Sequence, residues 1–260
     1  MTTSSDDSDL WIRRFHQAPD SRVQLVCFPH AGGSASFYFP MSEALAPVVE
    51  VLSIQYPGRQ DRRREQCLDK IEDMADQVLR TLRPQIDTPV AFFGHSMGAV
   101  IAYEVARRLE HEAGVTLAAL FASGRRAPSR SREEALHLRG EASIIAELRA
   151  LSGTNAALLD DEELRQMILP AVRADYRAIE RYRHRPGPEL SCPMYVLVGA
   201  SDPRTTRDEA DAWRQHTTGE FTVQVFPGGH FYLTEVASRV IGAISDGLLP
   251  YTSDAVGPRP

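Results

Sequence analysis

The chain has 260 residues, of which 43% are hydrophobic and 25% charged, a balance that supports a sizeable buried core and excludes a largely disordered or fibrous protein. Its formal net charge of -6 argues against a nucleic-acid binder, which needs a basic face to neutralise phosphates. Cys27, Cys67 and Cys192 are odd in number and widely spaced, which fits neither a disulfide framework nor a zinc site and points to a reducing cytoplasm.

The polar, acidic start MTTSSDDSD lacks the basic and apolar regions of a signal peptide. No stretch approaches the roughly 20 apolar residues that span a bilayer, so no membrane association is expected. The first strand signal is VQLVCF at 23–28, running into the glycine-containing loop FPHAGG. VEVLSI at 49–54 is the next, and the spacing of Met74, Val78, Leu79 and Leu82 then predicts a helix. PVAFFG at 89–94 leads through Gly94-His95-Ser96-Met97-Gly98 into a second helical pattern carrying Val100, Val105 and Leu109. Further strands are predicted at 116–123 (TLAALFAS), 194–199 (MYVLVG) and 221–226 (FTVQVF). Several of these runs are apolar throughout, as parallel strands covered on both faces are. The alternation predicts an α/β fold with an open, mostly parallel sheet.

One connection breaks the rhythm, because roughly 70 residues separate 123 from 194, far more than a simple crossover needs. Within it, 133–151 (Leu136, Ile144, Ile145, Leu148) and 161–182 (Leu164, Ile168, Val172, Ile179) have helical spacing. The segment reads as a helical lid insertion, with a packed subdomain that does no gating as the alternative. The resulting organisation is a core of 1–124 and 191–251, a lid of 125–190 and a flexible tail of 252–260.

Gly94 to Gly98 matches the G-x-S-x-G pattern, which is weak alone but sits where a buried strand turns sharply into a helix. That position exposes Ser96 at the carboxyl edge of the sheet, where open α/β folds place ligands. A serine hydroxyl attacks only when a base takes its proton. Of the eight histidines, His216 and His230 alone follow the acid candidates, as the order Ser, Asp, His requires. His216 lies in the helical run DEADAWRQHT and reads as a solvated face residue, whereas His230 follows a strand in the loop PGGH. Asp202, just beyond MYVLVG, is the preferred acid, with Asp208, Asp211 or an acid of the insertion left open. Backbone amides of Met97 and Ala31 are the expected oxyanion donors. No G-K-[ST] or G-x-G-x-x-G accompanies the FPHAGG loop, which disfavours a phosphate-cradling role.

Taken together, FPHAGGS at 28–34, YPGR at 56–59, GHSMG at 94–98, GASDP at 199–203 and GGHF at 228–231 resemble the stand-alone type II thioesterases, α/β-hydrolases that accompany polyketide and nonribosomal peptide synthases. The resemblance covers about residues 22–249. It implies removal of short or aberrant acyl groups from the phosphopantetheine arm of acyl or peptidyl carrier proteins, by a cytoplasmic monomer that needs no metal and no organic cofactor. Under that reading Phe37 and Tyr38 help to shape the acyl pocket. The arginine clusters 59/62/63/64 and 125/126/130/132 are candidates for meeting an acidic carrier protein. A serine esterase or acyltransferase of the same fold, and a silent hydrolase-fold interaction protein, are the competing functions.

Overall fold

The computed structural model describes residues 9–151 and 159–252. One sheet of seven strands runs in the order β1-β3-β2-β4-β5-β6-β7. The strands are β1 (Ile12–Arg13), β2 (Gln24–Phe28), β3 (Glu50–Ile54), β4 (Val90–His95), β5 (Ala119–Ser123), β6 (Met194–Gly199) and β7 (Phe221–Phe226). Every pairing is parallel except that of β1 with β3.

Successive strand residues enter opposite layers, as the two-residue period requires. Val26, Leu52, Phe92, Leu120 and Val196 pack beneath α2 (Ile71–Leu82) and α3 (Met97–Ala113). Their neighbours Leu25, Val51, Phe93, Phe121 and Leu197 pack against α1 (Phe39–Leu45) and the C-terminal helix α6 (Ala237–Thr252). Helices on both faces account for the complete burial of β2, β4 and β5 and for their largely apolar sequence.

The insertion contributes α4 (Glu141–Leu151) and α5 (Glu162–Arg181). Ile144, Leu148, Leu159, Leu169 and Val172 give it a small core of its own. The last turns of α5 also send Ala178 and Ile179 into the main core, which anchors that end of the insertion. Asp161 caps α5 by accepting the Leu164 amide at 3.0 Å, matching the predicted start to within a residue. The other insertion helix is shorter than the pattern at 133–151 suggests. A 3-10 turn at Leu136–Leu138 precedes it, and the chain breaks through an extended Arg139 before α4 begins. Strand β1 has only two residues, too few to show any period, and the pattern missed it. Residues 253–260 of the expected tail, and 152–158 of the insertion, lie outside the described residues. Cys27, Cys67 and Cys192 are free thiols, and no described helix is long and apolar enough to cross a membrane.

In-register parallel pairing sets the strand ends side by side: Phe28 faces Gly94, Gly94 faces Ala122, and Gly199 faces Phe226. Loops following β2, β4, β5, β6 and β7 therefore meet at one rim, and every predicted catalytic group lies on one of them.

Candidate active site

β4 ends at His95 and α3 begins at Met97, so Ser96 alone turns the chain. Its backbone takes φ 55° and ψ -117°, a conformation that L residues adopt only when their surroundings impose it. One such restraint is the Ser96 amide, which donates to the Ser123 carbonyl of β5 at 2.8 Å. Close passage of helix against strand dictates the flanking glycines. A Cβ on Gly98 would sit 2.0 Å from the Phe28 carbonyl oxygen, and one on Gly94 2.3 Å from that of Gly98.

The loop after β6 supplies Asp202 and the loop after β7 supplies His230. His230 Nδ1 lies 3.0 Å from each carboxylate oxygen of Asp202. The two side chains are 3% and 0% exposed. An ionised carboxylate only accepts, so the imidazole proton resides on Nδ1 and the Nε2 lone pair is left to receive another. The Arg204 amide donates to Asp202 Oδ1 at 2.8 Å and holds the carboxylate in place.

Ser96 and His230 border one pocket together with Ala31 and Met97. Among the described residues no hydrogen bond joins the Ser96 hydroxyl to the His230 ring. In unliganded hydrolytic sites that contact is commonly long and tightens when substrate arrives. The amides of Ala31 and Met97 donate to no described residue, so both are available to a group in the pocket. Met97 is the first residue of α3, where amides lack intrahelical acceptors and the helix dipole favours negative charge.

Two further histidines flank this centre. The His95 ring lies 5.0 Å from that of His230 and the His30 ring 6.0 Å from that of His95. His95 Nδ1 contacts Ser123 Oγ at 2.9 Å, and that hydroxyl contacts Tyr232 Oη at 2.6 Å, a buried chain behind the catalytic rim. Burial, reinforced by the charges of His230 and Arg59, pushes the His30 pKa down to about 3. Burial followed by the charges of His230 and His30 holds His95 well below its ordinary 6.5. Both rings therefore stay neutral where a solvent-exposed imidazole would protonate. The acid limb of kcat/KM should accordingly carry the slope of a single proton, and a steeper limb in a pH-rate profile would contradict this reading. The unfolded chain binds these protons more readily than the folded one, so unfolding free energy should fall on acidification below 6.5. Urea denaturation at pH 7 and pH 5 measures that loss.

A buried ion pair braces the loop after β2. Arg59 donates to Asp175 through Nη1 at 2.7 Å and Nη2 at 3.0 Å, and Asp175 also accepts the Gly32 amide at 2.8 Å. Arg59 Nη1 reaches the Gly33 carbonyl as well, at 3.2 Å. The turn after β3, the loop after β2 and helix α5 thus share one carboxylate.

A family model described as "Thioesterase domain" matches residues 23–248. The chain belongs to the thioesterase family. Thioesterase PikA5 of Streptomyces venezuelae is 50% identical over 244 residues, 94% of this chain and 87% of that protein. The gramicidin S biosynthesis protein GrsT of Aneurinibacillus migulanus is 37% identical over 232 residues, covering 89% and 91%. Among solved structures, the type II thioesterase BorB from the borrelidin biosynthetic cluster superposes with a TM-score of 0.88 at 51% identity, over 95% of this chain and all of that one. YbtT, a type II thioesterase from the yersiniabactin pathway, superposes with 0.84 at 31% identity, over 94% and 100%. The fold is the α/β-hydrolase fold, as the sequence pattern implies.

Several residues of this thioesterase lie where the sequence did not place them. Tyr38 is a core residue, 1% exposed, with its hydroxyl donated to the Phe28 carbonyl at 2.7 Å, which corrects its reading as an acyl-pocket residue. The 3-10 turn at Ala35–Tyr38 rotates adjacent side chains apart, so Phe37 instead lines a groove beside the serine pocket, with Leu148 and Val172 opposite. His216 is buried, its ring bonded to Tyr103 Oη and Ser129 Oγ, and is not a solvated residue. Of the 59/62/63/64 cluster only Arg63 and Arg64 are exposed. Arg59 is consumed by Asp175, and Arg62 is buried against Glu65 and the Gln55 carbonyl. Asp175 escaped notice although a signal existed. It occupies an apolar-stripe position between Val172 and Ile179, where an acid needs a buried partner.

Proposed function

We propose that this thioesterase hydrolyses acyl groups from the phosphopantetheine thioester of acyl or peptidyl carrier proteins in polyketide or nonribosomal peptide assembly. The observation that carries the reading is the buried Asp202–His230 pair in a pocket bordered by Ser96 and two unengaged amides. The names of its relatives, type II thioesterases of such pathways among them, support the substrate class.

In this mechanism His230 Nε2 takes the Ser96 proton as Oγ attacks the thioester carbonyl carbon, while Asp202 balances the imidazolium. The amides of Ala31 and Met97 hold the oxyanion. Collapse breaks the C–S bond, the imidazolium gives its proton to the sulfur, and the thiol leaves a Ser96 ester and a neutral His230. With a leaving-group pKa near ~8.5, the thiolate needs less help from the imidazolium than an amine or alkoxide does. Water then gives a proton to His230 and attacks the ester carbon, and the second collapse returns the proton to Ser96. Phe37 and the neighbouring apolar groove accommodate the acyl chain. Residues 125–190 act as a lid over the core formed by 1–124 and 191–251, and the enzyme works as a cytoplasmic monomer without metal or cofactor.

Carrier proteins that differ only in their acyl group, followed by intact mass, test this. Loss of the acyl mass with recovery of the free phosphopantetheine thiol is expected. Faster turnover of an oxygen ester of the same acid would assign the pocket to an esterase instead.

A further inference from the structure

A basic cleft adjoins the serine pocket, separated from it by residues that line both. Arg125, Ile179 and Glu180 belong to the walls of the two cavities, so the cleft lies next to the pocket that Ser96 borders. It measures about 320 Å³ and is bounded by the loop after β5 and by the chain leaving α5. Five arginines line it: Arg125, Arg126, Arg130, Arg132 and Arg183.

Their charges are unequally compensated. Arg126 is paired with Glu134, and Arg132 binds Glu209 through both carboxylate oxygens at 2.8 and 2.6 Å. Arg125 and Arg130 have no carboxylate partner among the described residues, and Arg183 reaches only the carbonyls of Glu180 and Tyr182. Glu180, the sole carboxylate lining the cleft among the described residues, is already engaged by the amides of Leu136 and His137 and by the His137 ring. Two buried nitrogens at the cleft, Arg125 Nε and His184 Nδ1, have no hydrogen-bond partner among the described residues. A buried guanidinium N–H such as Arg125 Nε left without an acceptor is costly and points to a ligand that supplies one.

We propose that this cleft binds the phosphodiester of the pantetheine arm, with Arg130 and Arg183 on its oxygens and Arg125 at the passage to Ser96. The assignment rests on the carrier-thioester reading and adds the polarity of the substrate. The anionic end lies in the arginine cleft, and the acyl end lies in the apolar groove beside Phe37. That groove is the weaker phosphate site, because Arg59 there is spent on Asp175, Arg63 is the one arginine left uncompensated among its described lining, and its other wall carries Met167, Ile168 and Val172. Crowding by burial and by Arg126 lowers the Arg125 pKa to about 9, and the group still carries its charge at neutral pH.

The test compares the butyryl thioesters of 4′-phosphopantetheine and of pantetheine, in the wild type and in Arg130→Ala/Arg183→Ala. Both side chains are exposed, so the double variant removes charge without opening the core. The wild type should favour the phosphorylated substrate in kcat/KM by about tenfold, an advantage that shrinks with added salt, and the variant should lose most of it. Titration calorimetry with unacylated 4′-phosphopantetheine should show a parallel loss of affinity. Equal kcat/KM for the two thioesters in the wild type, or an unchanged ratio in the variant, overturns the assignment. Arginine-dependent binding of phosphopantetheine without turnover of either thioester would refute the carrier-thioester reading and leave the cleft standing.

Discussion

Replacement of Ser96 by alanine should lower kcat for acyl release by on the order of 10⁶, the size of loss seen when a serine hydrolase of another fold loses its nucleophile. The residual rate should still exceed that in water, because the Ala31 and Met97 amides and the binding pocket remain. Thermal stability should hardly change. Alanine keeps the Cβ, so it inherits the backbone at φ 55° with the same strain, and the lost hydroxyl has no hydrogen-bond partner on His230 to orphan. A thiol-release assay and a melting curve on the same sample separate chemistry from folding. A rate within about tenfold of the wild type would show that the ester intermediate on Ser96 is not on the path. A fluorophosphonate probe that labels the wild type and spares the variant gives the same answer without any choice of substrate.

Asp175→Ala should have the larger effect on the fold. Asp175 is fully buried and accepts both terminal nitrogens of Arg59 and the Gly32 amide. Its removal strands a guanidinium that is 6% exposed, and breaking a buried pair in this way costs about 3–5 kcal/mol. Against a typical stability of about 5–15 kcal/mol, that leaves a protein close to its unfolding threshold at 37 °C. Catalysis should suffer separately if the Ala31 amide holds the oxyanion as proposed, because Gly32 is the next residue of that loop. A displacement of about 1 Å there is enough to cost roughly 10²-fold in rate. The double variant Arg59→Met/Asp175→Leu divides the two effects. Apolar side chains replacing both ions should restore much of the stability, as such exchanges commonly do. The Gly32 amide still lacks its acceptor, so kcat should stay low. Urea denaturation and kcat measured together decide this. Recovery of both in the double variant would mean that the carboxylate stabilises the insertion but does not place the oxyanion loop.

Much of this enzyme was legible in the one-dimensional pattern. Solidly apolar runs such as LVCF and VAFF declare strands covered on both sides, and the glycines flanking Ser96 declare a helix passing too close for a Cβ. Asp202 and His230 could be chosen because each directly follows a strand, and parallel strands in register carry their following loops to one rim. Those inferences need only local periodicity, chain order and the sterics of a tight turn. Folding in three dimensions decided which charges are internal. Arg59, Arg62 and Arg126 resemble any surface arginine until Asp175, Glu65 and Glu134 are found beside them. Arg125, Arg130 and Arg183 are without a carboxylate partner among the described residues, across a cleft whose two walls are some fifty positions apart in the chain. The same holds for His216, which becomes a core residue through Tyr103 and Ser129. Periodicity records whether a residue type favours water, an average property of its side chain. The fate of a charge depends on one partner atom within about 3 Å. That partner is commonly distant in sequence, and only the packed chain brings the two together.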